Sequence, residues 1–300
     1  MEAATKNVRK TLTGILPPVT MPFDAKGEIV LSGLREQLEF MVERKVHGVV
    51  VGGSTGEGHT LTRDEFARVM QVSDETLGGR LPLIGGLIVN STREAIARAR
   101  VLKGLRVTAL QITPVHYLFK PDAEGTIAHF RAIYEECGIP ILIYNVIPWN
   151  YLSAEMMLRI MREVHGVVGM KQSSGDLKSV SDLLAGAGPE NVVLSGIDAL
   201  LYPAFALGVH GAITALTASV PGVCVKLWDA VQAGDHPAAL DLHKRLNALW
   251  NVLAHDNLPA CAKYIQHRQG LGMHLPRAPM QRVSDSQKLA IDKALADLPL

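Results

Sequence analysis

Two stretches decide the fold: Pro140-Ile141-Leu142-Ile143-Tyr144-Asn145 and, one repeat later, Val167-Val168-Gly169-Met170-Lys171, which runs on into Gln172-Ser173-Ser174-Gly175-Asp176. Each is an apolar run of strand length with no polar alternation, ending abruptly on polar side chains, as expected of a parallel strand covered on both faces. Runs of the same kind recur at residues 14–20, 48–51, 82–86, 107–113, 191–195 and 211–214. From about residue 15 to about 211 the eight starts repeat every 28 residues, room for a strand and its crossover helix. Between them lie amphipathic segments. Leu34, Leu38, Met41 and Val42 fall on one helix face, and Thr62 with Glu65 and Ser91 with Glu94 read as capping-box starts. Eight strand-helix alternations predict an α/β fold, a closed (β/α)8 TIM barrel rather than an open sheet. After an eighth helix at residues 221–233 the strands stop. Leu242, Leu246, Leu249, Trp250 and Leu253 form one helical stripe, and further helices fit residues 258–270 and 286–298. The expected organisation is a barrel domain over residues 1–234 and a C-terminal helical appendage over residues 235–300.

Composition limits the function classes. Of 300 residues, 48% are hydrophobic and 20% charged, enough apolar side chain for a large core, which excludes global disorder. Thirty Lys and Arg stand against 29 Asp and Glu, so no global basic field points to nucleic acid. Cys137, Cys224 and Cys261 are odd in number and form no C-x-x-C pair, which argues against a disulfide framework or a zinc ribbon and reads as buried thiols in a reducing compartment. Residues 1–10 show no apolar leader segment, so the cytoplasm is the expected location. The apolar stretch 202–225 approaches membrane-span length, but His210, Pro203 and Pro221 favour a buried strand followed by a helix, and no membrane association is expected. No histidine pair has zinc-site spacing and no carboxylate cluster ends a strand, so neither a metal nor a cofactor is called for.

In such a barrel the reacting groups come from strand ends and the loops that follow. Lys171 ends an aliphatic run, so its amine points into the barrel mouth, where desolvation disfavours the ammonium and frees a lone pair for attack on a carbonyl. The plainer alternative is a lysine whose stem packs while its head reaches water. Tyr144 lies 27 residues earlier, one repeat, so the two side chains emerge from neighbouring strands at the same end and the phenol is placed to shuttle protons. Gly52-Gly53-Ser54-Thr55-Gly56 offers hydroxyls among glycines, suited to a carboxylate or simply to a tight turn. It also matches the G-x-S-x-G nucleophile elbow formally, but an elbow starts its helix directly after the serine, whereas the cap at Thr62 starts this one later. His116 and Tyr117 overhang the mouth from the loop after the fourth strand, either of them a candidate for the relay.

Gly53-Ser54-Thr55-Gly56-Glu57, Tyr144-Asn145 and Lys171-Gln172-Ser173-Ser174-Gly175-Asp176, in this order and with the helical tail, resemble the dihydrodipicolinate synthase and N-acetylneuraminate lyase family. The resemblance implies a class I aldolase barrel acting on pyruvate or another 2-oxo acid, commonly a homotetramer. It implies Lys171 as the Schiff-base lysine and Tyr144 as the catalytic tyrosine. Ser54 and Thr55, with Gly56, would hold the 2-oxo acid carboxylate, with Ser54 also in the relay between two tyrosines. Gly196 and Asp198 match the substrate loop after strand seven, and Ile213 the apolar residue near the imine. His116 and Tyr117 are rivals for a tyrosine that the family takes from a neighbouring subunit.

The chain departs from the family where the second substrate binds. Dihydrodipicolinate synthases continue Tyr-Asn to an arginine that grips a second carboxylate, and here the run is Val146-Ile147-Pro148-Trp149-Asn150. Trp149 thus stands where a fixed charge is expected. The sialic acid branch carries an acid after Asp198, and this chain has Ala199. The expected function is a Schiff-base lyase making or cleaving a carbon-carbon bond next to a 2-oxo acid. Alternatives are dehydration or deamination through the same imine, or a silent 2-oxo acid sensor.

Overall fold

In the computed structural model, which describes residues 8–300, eight parallel strands run β1 (Gly14–Ile15), β2 (Val49–Val51), β3 (Leu83–Leu87), β4 (Val107–Ile112), β5 (Ile141–Asn145), β6 (Val167–Gln172), β7 (Val192–Ser195) and β8 (Gly211–Ala212). Most of the N-terminal stretch read for a leader, residues 1–7, lies outside the described residues. The strands pair in the order β1-β8-β7-β6-β5-β4-β3-β2. The ring closes between the first and second: the Val50 N–H donates to Pro17 O at 2.9 Å, and the Val19 N–H to Val50 O at 2.8 Å. This is the expected (β/α)8 barrel. Its first strand is shorter than the apolar run 14–20 because Pro17 and Pro18 bring no N–H to a ladder. Its eighth stops early because Thr214 turns away to cap the helix Ala215–Ser219.

The alternation of side chains across each strand builds two cores. Leu16, Val50, Ile84, Ala109, Leu142, Leu194 and Ile213 fill the barrel interior, and Val8 and Leu12 of the N-terminal helix turn join the same cluster. Phe66, Met70, Phe130 and Ile160 belong to the larger layer between sheet and helices. Thr62 and Glu65 form the expected capping box. Ser91 accepts the Glu94 N–H at 3.1 Å, but the Glu94 carboxylate binds Arg98 instead of reaching back, so only half of that box forms. Cys137, Cys224 and Cys261 are free thiols; the last two are buried, and burial pushes Cys261 up to about 11. Among the described residues no helix is long and apolar enough to cross a membrane.

The tail consists of helices His236–Leu253, Leu258–His267 and Asp285–Leu295, the last two slightly shorter than the apolar pattern suggests. It is pinned to the barrel by polar contacts. Lys263 and Glu57, 1% and 0% exposed, form a buried ion pair. The second Glu57 oxygen accepts the Arg277 N–H at 2.8 Å, and Lys263 also donates to Leu275 O at 2.7 Å. Arg277 grips both Glu65 oxygens and the carbonyls of Gly27 and Thr60. Gln266 donates to Ala218 O at 2.9 Å, tying the tail helix that carries Lys263 to the helix Ala215–Ser219 after β8.

Removing one partner of a buried ion pair strands the other charge, at a cost of about 3–5 kcal/mol. Lys263→Met and Glu57→Gln alone are therefore expected to lower the unfolding free energy by that much, read from urea titrations followed by circular dichroism. The double variant, with no charge left to strand, is expected to recover most of the loss.

Candidate active site

β5 and β6 are paired so that Tyr144 lies opposite Lys171. Both side chains point into the barrel, 3% and 5% exposed, and Lys171 Nζ stands 3.9 Å from the centroid of the Tyr144 ring. The Tyr144 hydroxyl lies 3.1 Å from Ser54 Oγ. An amine and a phenol from two neighbouring strand ends and a serine hydroxyl from the loop after β2 thus converge at one end of the barrel. They line a cavity of about 450 Å³ together with Thr55, Gly196, Asp198 and Ile213.

The neighbouring residues of the motifs are spent on holding this arrangement. Asn145 points the other way, donating to Gln172 and Leu152 O and accepting the Leu152 N–H, so it fixes the loop after β5. Gln172 in turn donates to Ser179 at 2.9 Å. Gly196 is required by space: a Cβ there would stand 2.0 Å from Ser173 Oγ and 3.0 Å from Lys171 Cε. Gly56 faces the segment after β1, where a Cβ would meet Val19 O at 2.5 Å, and it does not line the cavity. Asp198 accepts the Leu216 N–H at 2.6 Å at the start of the helix after β8. Burial pushes its carboxyl above the ordinary carboxylate range; hydrogen bonds from Leu216, Thr214 and Ala215 and the nearby Lys171 charge oppose the shift.

His116, Tyr117 and Trp149 stand apart from the cavity. His116 Nδ1 lies 3.1 Å from Pro114 O, and Tyr117 is 69% exposed. Trp149 donates its indole N–H to His116 O at 2.7 Å, leaving its ring 65% exposed, and Asn150 donates to Val115 O at 2.6 Å. These two residues latch the loop after β5 to the loop after β4. Sequence reasoning missed Tyr151, Ser173, Trp250, His255, Asp256 and Met280, all of which line the cavity. Ser173 had a signal, since two residues beyond Lys171 is the same strand face. Tyr151 places its hydroxyl 3.3 Å from Ser173 O, and burial together with Tyr144 raises its phenol.

A barrel of this topology with its C-terminal helical tail defines a class I lyase when set beside known proteins. Residues 11–298 match the model of the dihydrodipicolinate synthetase family, and the chain belongs to that family. It is 32% identical to the 4-hydroxy-tetrahydrodipicolinate synthase of Archaeoglobus fulgidus, covering 96% of this chain and 98% of that one. To the enzyme of that name from Methylobacterium radiotolerans it is 34% identical, with 97% of each covered. The crystal structure of dihydrodipicolinate synthase from Aquifex aeolicus superposes with a TM-score of 0.89 at 28% identity, over 96% of this chain and 99% of that chain. The expected family and fold are both borne out.

Tyr144→Phe removes only the hydroxyl that meets Ser54. If that hydroxyl carries protons, kcat is expected to fall about a hundredfold with an unchanged circular dichroism spectrum; a change within about threefold would make Tyr144 structural.

Proposed function

We propose that this lyase forms an imine between Lys171 and pyruvate or another 2-oxo acid, and through it makes or breaks the adjacent carbon-carbon bond. The observation that carries this reading is the buried Lys171 amine against the Tyr144 ring, with the phenol on Ser54. A neutral Lys171 attacks the 2-oxo carbon, and the carbinolamine so formed loses water to give a protonated imine. That imine withdraws electrons from the neighbouring carbon, so a proton can leave it to give an enamine nucleophile, or a bond to it can cleave. Tyr144 supplies and recovers the protons at the carbinolamine oxygen, and Ser54 passes them on. Ser54 and Thr55 hold the carboxylate of the 2-oxo acid, while Ile213 and Gly196 shape the wall beside the imine.

The partner substrate is uncharged at its distal end. Among the described residues that line the cavity there is no arginine, and no lysine besides Lys171, whereas Asp256 presents a carboxylate. Lys120 is exposed on the loop after β4 and does not line it. An arginine-carboxylate pair is bidentate and charge-assisted, so a dicarboxylic product lacks its second anchor here.

The chain acts as a homotetramer, in which a partner covers the rim loop after β4. Leu118 and Phe119 are 73% and 83% exposed there beside Tyr117, more apolar surface in one place than a monomer usually leaves to water.

Two experiments test this reading. Borohydride reduction in the presence of pyruvate is expected to leave an adduct that peptide mapping finds on Lys171; an adduct elsewhere, or none with any 2-oxo acid, refutes the imine. Condensation of pyruvate with aspartate semialdehyde is expected to run about two decades below that with an uncharged aldehyde in kcat/KM. Robust aspartate semialdehyde turnover would show that the distal end takes a carboxylate.

A further inference from the structure

The cavity over Lys171 extends well beyond what a 2-oxo acid fills. Its tail-derived lining consists of Trp250, Leu258 and Pro259 of the helix Leu258–His267, and Met280, together with His255 and Asp256. Behind Met280 lies a second cavity of about 370 Å³, and Met280 and Asp256 line both. Glu57 and Arg277, two of the charged groups that line the second cavity together with Asp256, are spent within the protein. Glu57 is taken by Lys263 and the Arg277 N–H, and the Arg277 guanidinium by Glu65, Gly27 O and Thr60 O. Met280 and Asp256 are the residues the two cavities share, and of the two only methionine is an apolar side chain that rearranges easily.

We propose that Met280 is the end wall of the acceptor subsite and sets the length of an unbranched, apolar aldehyde that condenses with the 2-oxo acid. This rests on the imine reading above. The enamine carbon of Lys171-bound pyruvate bonds to the aldehyde carbon, and the aldehyde oxygen takes up a proton. Water then hydrolyses the imine, releasing a 4-hydroxy-2-oxo acid and the free amine. Each methylene laid against Trp250, Leu258 and Pro259 adds transfer free energy that corresponds to about fourfold in kcat/KM. The gain ends where the chain meets Met280.

The test measures kcat/KM for pyruvate with straight-chain aldehydes from propanal to octanal in wild type, Met280→Ala and Met280→Phe, alongside borohydride trapping of pyruvate on Lys171. Wild type is expected to pass through a maximum within the series. Met280→Ala moves the maximum to longer aldehydes and raises the octanal to propanal ratio at least tenfold, and Met280→Phe moves it to shorter ones. Opposite shifts in a ratio cannot arise from partial misfolding, which lowers all rates together. Turnover of no aldehyde in the series, or ratios within twofold across the three proteins while pyruvate is still trapped, overturns the role of Met280 and leaves the imine standing. Failure to trap pyruvate overturns both.

Discussion

One buried carboxylate governs the geometry of the mouth. Glu57 follows Ser54, Thr55 and Gly56 directly, and its two oxygens reach the Lys263 ammonium and the Arg277 N–H. Lys263 belongs to the helix whose first residues, Leu258 and Pro259, wall the cavity, and Arg277 opens the segment that places Met280 at its end. The loop with the site hydroxyls, the wall and the end wall are therefore referenced to a single side chain. A buried pair adds little net stability, because desolvation of both ions offsets their attraction. What it supplies is direction, since each remaining oxygen and proton must find a partner at a fixed distance. Burial pulls the Lys263 ammonium below the ordinary lysine range, and Glu57 opposes that shift.

The strand register supplies the other half of the site. A parallel ladder offers no freedom to slide by one residue without turning every inward side chain outward. The pairing of Tyr144 with Lys171 is thus locked by Leu142 and Leu194 filling the interior below them and by Ile143 and Met170 packing outside. Asn145 and Gln172 show the same alternation from the outer face, where they hydrogen-bond each other and hold the loops. The motif residues next to the reacting groups are structural for this geometric reason.

The parts of the molecule legible in the sequence are those where period and position carry the information. Eight apolar runs at a 28-residue repeat gave the barrel, and the end of a run gave Lys171 and Tyr144. Ser54 was legible from composition, as a hydroxyl among glycines after a strand. Trp149 and Asn150 illustrate the opposite case. They occupy the place where a family arginine is expected, yet their side chains are consumed by carbonyls of His116 and Val115, which no spacing rule foretells. The tail residues were illegible for a related reason. Trp250 lies on a stripe whose Leu246, Leu249 and Leu253 are buried, and nothing in a helical period distinguishes a residue facing the barrel mouth from one facing the core.

These two degrees of legibility follow the division of labour in the site. The half around Lys171 and Tyr144 is built from strand ends, where the backbone ladder fixes each side chain and a substitution disturbs the barrel itself. The other half of the cavity lining includes the loop after β5 and the tail, held by side-chain contacts and one ion pair. A change there alters the shape of the wall without touching the ladder. On the function proposed above, such a scaffold keeps one electrophile chemistry while the acceptor changes, and the shape that an acceptor meets is set by residues such as Tyr151, Trp250 and Met280, whose neighbours exist only once the chain has folded.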